Sequence, residues 1–182
     1  MPKLPKPPMT AAQRQHQLLL RLCLTALLAA LTTVFTAYIG HFPLPGEAGY
    51  LHFGDSLIFL AACLLPTPYA MAVGMIGGGL ADLLTYPVYF IFTVVIKALL
   101  TVPFRWQGPK IITLRNVLSL LPAYAVSAGG YFLAEGIISR WDVAFVKSLL
   151  GSLIQIGGSA VVFVALGLVM DRLGLKRRLS LF

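Results

Sequence analysis

The feature that most constrains this chain is the stretch LLLRLCLTALLAALTTVFTAYIG, residues 18–40. It is long enough to cross a bilayer, whose hydrocarbon core takes about 20 mostly apolar residues. The preceding segment, MPKLPKPPMTAAQRQHQ, is basic and Pro-rich, as the start of a secretory signal would be. The apolar stretch exceeds a signal core of about 7–15 residues, so it reads as a retained first helix. The rest of the 182 residues continues in the same vein: 58% are hydrophobic and 11% charged, against about a quarter charged in ordinary soluble domains. Mean hydropathy is +0.87. A domain of this size does not need so much apolar surface for its core, so the excess faces lipid. That excludes a soluble enzyme, a disordered tail and a secreted disulfide scaffold. Cys23 and Cys63 fall inside apolar segments and read as buried, unpaired packing residues.

Turn-forming residues divide the chain. HFPLPGEAGY (41–50) ends the first span, and a short second one runs from His52 to Leu65 with Asp55 near its start. Pro66-Thr67-Pro68 turns the chain into a Gly-rich third span from Tyr69 to Leu84. Thr85-Tyr86-Pro87 leads to a fourth from Val88 to Phe104. A basic loop (105–116) precedes the fifth span, Val117 to Ile138, and SRWDV (139–143) precedes the sixth, Ala144 to Val169. Six such spans use roughly 120 residues. The expected organisation is a basic tail over 1–17, an all-α, six-helix integral membrane domain over 18–170, and a basic tail over 171–182. No internal repeat is visible.

The basic residues fix an orientation. Lys3, Lys6, Arg14 and Arg21 precede or open the first span. Arg105, Lys110 and Arg115 lie in the loop after the fourth, and Arg172, Lys176, Arg177 and Arg178 follow the sixth. The opposite side carries Arg140 alone. Cytoplasmic loops are enriched in Lys and Arg, which places both termini in the cytoplasm of a multi-pass protein of a bacterial plasma membrane. The net charge of +8 is thereby explained without a nucleic-acid partner.

Ionisable groups inside a membrane are costly and default to functional roles. Asp55, Asp82, Glu135 and Lys147 fall toward the outer half of their spans, with Lys97 nearer the middle. They could pair and fix helix registry, or line a polar pocket open to the outside. Tyr50, Phe53, Tyr86, Tyr89, Phe90, Tyr131 and Trp141 gather at the same end, either as an interfacial belt or as stacking surfaces for a flat ligand. Ser148, Ser152, Gln155 and Ser159 recur at steps of 4, 3 and 4, on one face of the sixth helix. Gln155 could serve as interhelical glue or as a ligand contact. Gly74, Gly78 and Asp82 share a face that permits close helix approach. Ala26, Ala30, Thr33 and Ala37 give the first helix a smooth docking stripe. The residue pattern offers no catalytic grouping, no cofactor site, no metal cluster beyond the pair His52 and Asp55, and no P-loop.

The stretch GYLHFGDSLIFLAACLLPTPYAMAVGMIGGGLADLL, followed by FTVVIKALL, resembles the S components of energy-coupling factor (ECF) vitamin transporters. In that superfamily a Gly-Asp pair opens the second helix, matched by Gly54-Asp55. A Gly-rich third helix ends in Ala-Asp, here Ala81-Asp82, and the fourth carries Ile-Lys, here Ile96-Lys97. The Ala-xxx-Ala of the first helix corresponds to Ala26 and Ala30. The resemblance covers residues 18 to 170.

It implies a non-enzymatic subunit that captures a vitamin near the outer face and delivers it inward with a membrane-embedded coupling protein and two cytoplasmic ATPases. The loop 41–51 would be the lid and Ala26 and Ala30 the docking face. Tyr50, Tyr86, Tyr89, Lys97, Tyr131, Glu135, Trp141, Lys147 and Gln155 are the candidate substrate contacts. The similarity of LHFGDSLIFLAACLLPTPYA points to cobalamin or a corrinoid precursor, with hydroxymethylpyrimidine or another small vitamin precursor as the alternative. A different class, a stand-alone secondary transporter using Asp82, Lys97 and Glu135 as a relay, remains open on the residues alone.

Overall fold

A computed structural model describes residues 10–39, 42–43 and 50–179, with the side chains of residues 42, 43, 50, 51 and 143 left aside. Most of the expected lid, and the side chain of Tyr50, therefore lie outside the described residues. What is described of that segment is a short antiparallel pairing of β1 (Phe42–Pro43) with β2 (Tyr50–Leu51), in the register Phe42 to Leu51 and Pro43 to Tyr50.

The remainder is helical: α1 (Ala11–Ala37), α2 (Gly54–Leu64), α3 (Thr67–Thr85), α4 (Phe90–Leu99), α5 (Leu114–Leu118), α6 (Leu120–Ile138), α7 (Trp141–Arg172) and α8 (Leu175–Arg178). A 3-10 turn, Pro87–Tyr89, leads into α4. Among the described residues, three stretches are long and apolar enough to cross a membrane: Ala11–Ala37, Leu114–Ile138 and Ala144–Arg172. The helices at Gly54–Leu64 and Phe90–Leu99 are too short to do so alone, at about 16 and 15 Å of rise. Their shortness is tolerable because backbone at membrane depth must be covered by protein rather than by lipid. α2 meets that condition in full: all eleven of its residues are buried.

The core forms around α2. Phe59 stacks on Phe104 at 5.2 Å between ring centroids, and both meet Phe163 edge-on at 5.9 Å. Gly54 is required where α2 begins, because a Cβ there would sit 1.9 Å from Thr36 Oγ1 on α1. α3 packs closely on both sides. A Cβ on Gly77 would meet Thr32 of α1 at 2.7 Å, and one on Gly74 would meet the Lys97 carbonyl oxygen of α4 at 2.4 Å. The seam expected from Gly74, Gly78 and Asp82 is therefore the α3–α4 contact.

Several boundaries differ from the sequence reading, each for a local reason. α1 starts at Ala11 because Thr10 and Gln13 form a capping box. α4 stops at Leu99, short of the Phe104 expected. Pro103 supplies no N–H and disfavours helix at Val102. Pro122 likewise loosens the start of the fifth span, which is divided into α5 and α6 at Ser119. The expected loop 139–143 shrinks to Ser139 and Arg140. α7 begins at Trp141, with Asp142 in its first turn where a negative charge complements the helix dipole.

Two assignments on α1 are corrected. Its inward stripe is Thr25, Ala29, Thr32 and Thr36. Cys23 is therefore exposed, whereas Cys63 is buried as expected. Ala26 and Ala30 are exposed, but the extension of their stripe through Thr33 and Ala37 fails. Thr33 donates to the Gly77 carbonyl at 3.1 Å, and Ala37 is buried.

Candidate functional site

Consecutive long helices alternate in direction, so the start of α2, the α3–α4 junction, the end of α6 and the start of α7 meet at one end. At the deepest level there, Lys97 Nζ donates to both carboxylate oxygens of Asp55, at 2.6 and 2.8 Å. The lysine stem crosses Gly78, where a Cβ would collide with Lys97 Cγ at 2.7 Å. The close approach of α3 and α4 thus clears the path by which an ammonium on α4 reaches a carboxylate on α2. Both partners are buried, and the Lys97 ammonium also lies 5.6 Å from the centre of the Tyr131 ring.

Gln155 connects this pair to the chain entering α2. Its Oε1 accepts from the His52 N–H at 3.0 Å, and its Nε2 donates to the His52 carbonyl at 2.8 Å. The same Nε2 lies 3.2 Å from Asp55 Oδ2 and 3.3 Å from Ser159 Oγ. The Gly54 N–H donates to His52 Nδ1 at 3.2 Å, and Gln155 Nε2 lies 3.2 Å from the same ring nitrogen. All four members of the polar stripe on α7 are buried. Ser152 meets Ser127 of α6 at 3.1 Å, and Ser148 bonds back to the Ala144 carbonyl.

A second group lies nearer the end of the bundle. Lys147 Nζ donates to Glu135 Oε1 at 2.8 Å, and the Tyr89 hydroxyl donates to Glu135 Oε2. Between the two groups, Thr93 donates to Asp82 and lies 3.2 Å from the Tyr131 hydroxyl. Trp141 and Tyr86 are about half exposed at the rim. Trp141 is packed against Phe132 at 5.4 Å and across Gly136.

The candidate contacts Tyr89, Lys97, Tyr131, Glu135, Lys147 and Gln155 are thus brought into two linked groups, with Tyr86 and Trp141 at their edge. Of the three residues named for a relay, Asp82 accepts from Thr93, Lys97 donates to Asp55, and Glu135 accepts from Lys147 and Tyr89. Thr93 and Ser127 were not foreseen as members. Nothing in a sequence separates a threonine or serine that bridges helices from one that bonds its own backbone. Among the described residues, no three His, Cys, Asp or Glu side chains converge on a metal-sized site. The arrangement pairs buried and part-buried donors and acceptors with one another and leaves Tyr86 and Trp141 half exposed at the rim.

An uncharacterised protein of Pyrococcus woesei is 40% identical over 62 residues, which amount to 34% of this chain and 42% of that relative. The chain therefore spans about two-fifths of the length of that relative. The broader match is to the family described as ECF-type riboflavin transporter, S component, over residues 18–172. It runs from Leu18 in α1 to the end of α7. The chain belongs to this family.

Proposed function

We propose that this chain is the substrate-capturing subunit of an ECF-type transporter and that its ligand is riboflavin. The observation that carries the reading is the family match over residues 18–172, whose description names that vitamin. The cobalamin reading rested on the resemblance of one segment, residues 51–70, and the family match lends it no support. Riboflavin carries a flat heteroaromatic ring with several acceptors and a polyhydroxyl chain. In this reading Tyr86, Tyr89, Tyr131 and Trp141 offer ring faces, while Lys147, Glu135 and Gln155 offer polar contacts. The loop 41–51, including Tyr50, closes over the ligand. The chain crosses the membrane six times with both ends in the cytoplasm. A coupling protein docks on the exposed Ala26 and Ala30 face, and two ATPases supply the energy.

The test is a titration of the purified protein with riboflavin, cobalamin and hydroxymethylpyrimidine, followed by flavin fluorescence and calorimetry. Saturable nanomolar binding of riboflavin, weakened by Lys147→Met or Gln155→Ala, is expected. Saturation by cobalamin instead would overturn the riboflavin assignment. Binding of none of the three would overturn the assignment of the chain as a vitamin-capturing subunit.

A further inference from the structure

The end of the bundle opposite the candidate site has an unbalanced charge. Asp171 is the carboxylate at that end among the described residues, and its oxygens are committed. They accept the Ile111 and Ile112 N–H groups at 2.7 and 2.8 Å. The segment between α4 and α5 is held just as firmly by Asn116. That side chain accepts from Arg105 N at 3.0 Å and donates to the Arg105 and Ile111 carbonyls at 3.2 and 2.9 Å. A cleft of about 400 Å³ opens in this braced segment, and its lining includes Arg105, Lys110 and Arg115. Among the described residues none of these three side chains has a carboxylate partner.

We propose that this cleft binds the phosphate headgroup of an anionic phospholipid, with Arg105, Lys110 and Arg115 supplying the charge. The lipid source is favoured over a soluble phosphate by what adjoins the cleft. Leu114, Leu118 and Leu121 are 77%, 52% and 67% exposed, and their spacing places them on one face leading away from Arg115 along α5 and α6. That face offers acyl chains a path from the same point at which the headgroup is held. Basic clusters at the cytoplasmic ends of membrane helices attract anionic headgroups. Here the cluster is shaped as well as charged, because Asn116 and Asp171 fix its walls.

Native mass spectrometry of the full chain in neutral detergent tests this. The protein is titrated with dioleoylphosphatidylglycerol, dioleoylphosphatidylcholine and, separately, glycerol 3-phosphate. The expected result is retention of the phosphatidylglycerol adduct on the order of tenfold above phosphatidylcholine. The preference should be lost in R105Q/K110Q/R115Q and kept in R177Q/R178Q, which removes two cations outside the cleft. Equal loss in both variants would overturn the proposal in favour of a diffuse surface field. Undiminished preference in the triple variant would overturn it outright. Binding of glycerol 3-phosphate as tight as that of the lipid would replace the lipid with a soluble phosphate. The three positions are exposed, and an unchanged melting temperature in lipid-free detergent checks that the triple variant folds.

Discussion

Lys97 and Asp55 form a two-pronged ion pair, at 2.6 and 2.8 Å, between two helices that are each too short to cross a bilayer alone. Removing one partner leaves an uncompensated buried charge, whose cost is about 3–5 kcal/mol. Lys97→Met and Asp55→Asn should therefore each lower the melting temperature of the detergent-purified protein sharply. The double variant Asp55→Leu with Lys97→Met should recover most of the loss. If the double variant melts as low as the sum of the two single changes predicts, the ion pair is not the unit that holds α2 to α4.

Gly74 of α3 should answer substitution oppositely to Gly129 of α6 and Gly157 of α7. Gly74→Ala drives a methyl group into the Lys97 backbone, which cannot swing aside, and overpacking of this kind costs about 1–3 kcal/mol. Gly129 and Gly157 have open space where a Cβ would stand. Alanine at either should be neutral or should add about 0.5–1 kcal/mol through lost chain entropy. Melting curves of the three variants decide the matter, and equal effects at all three would refute the close α3–α4 seam.

Ala26 and Ala30 lie on the outside of α1, one residue around from the buried pair Thr25 and Ala29. Ala26→Trp with Ala30→Trp should leave riboflavin affinity unchanged and abolish uptake by cells that supply the coupling protein and ATPases. Thr25→Trp with Ala29→Trp should instead impair folding. Normal uptake by the first variant would remove the docking role from this face.

Lys176 on α8 is 1% exposed, and its ammonium has no hydrogen-bond partner among the described residues. Burial pushes its pKa below the usual lysine range, opposed by Cys63 and Asp171. The unfolded chain then holds that proton to higher pH than the folded one does. The cost of the charge is present in full below the folded pKa and fades as pH rises toward the ordinary lysine value of 10.5. Lys176→Met should be the more stable protein at neutral pH, with an advantage that shrinks in the alkaline range. An advantage independent of pH would mean that packing, not the charge, sets the difference.

Much of the helical order was legible from apolar runs and breakers, and so was the inward stripe of α7, because Ser148, Ser152, Gln155 and Ser159 repeat at helical spacing. The partner of Lys97 was not. Asp55 and Asp82 are equally acidic in sequence, and the choice between them depends on Gly78 letting the lysine stem pass. The inner face of α1 was missed because threonine and alanine are both small, and smoothness alone does not say which side meets protein. The joining segment before α5 read as a plain basic loop, since the bonds of Asn116 and Asp171 span 5 to 60 residues.

The full enclosure of α2 also has a consequence for the order of synthesis. Asp55 precedes Lys97 by 42 residues and Gln155 by 100. At about 5–20 residues per second, Asp55 emerges from the ribosome some 2–8 s before its counter-ion. During that interval neither the ammonium nor the amide that later surrounds it has emerged. The buried carboxylate of α2 is thus translated well before either of the groups on α4 and α7 that pair with it.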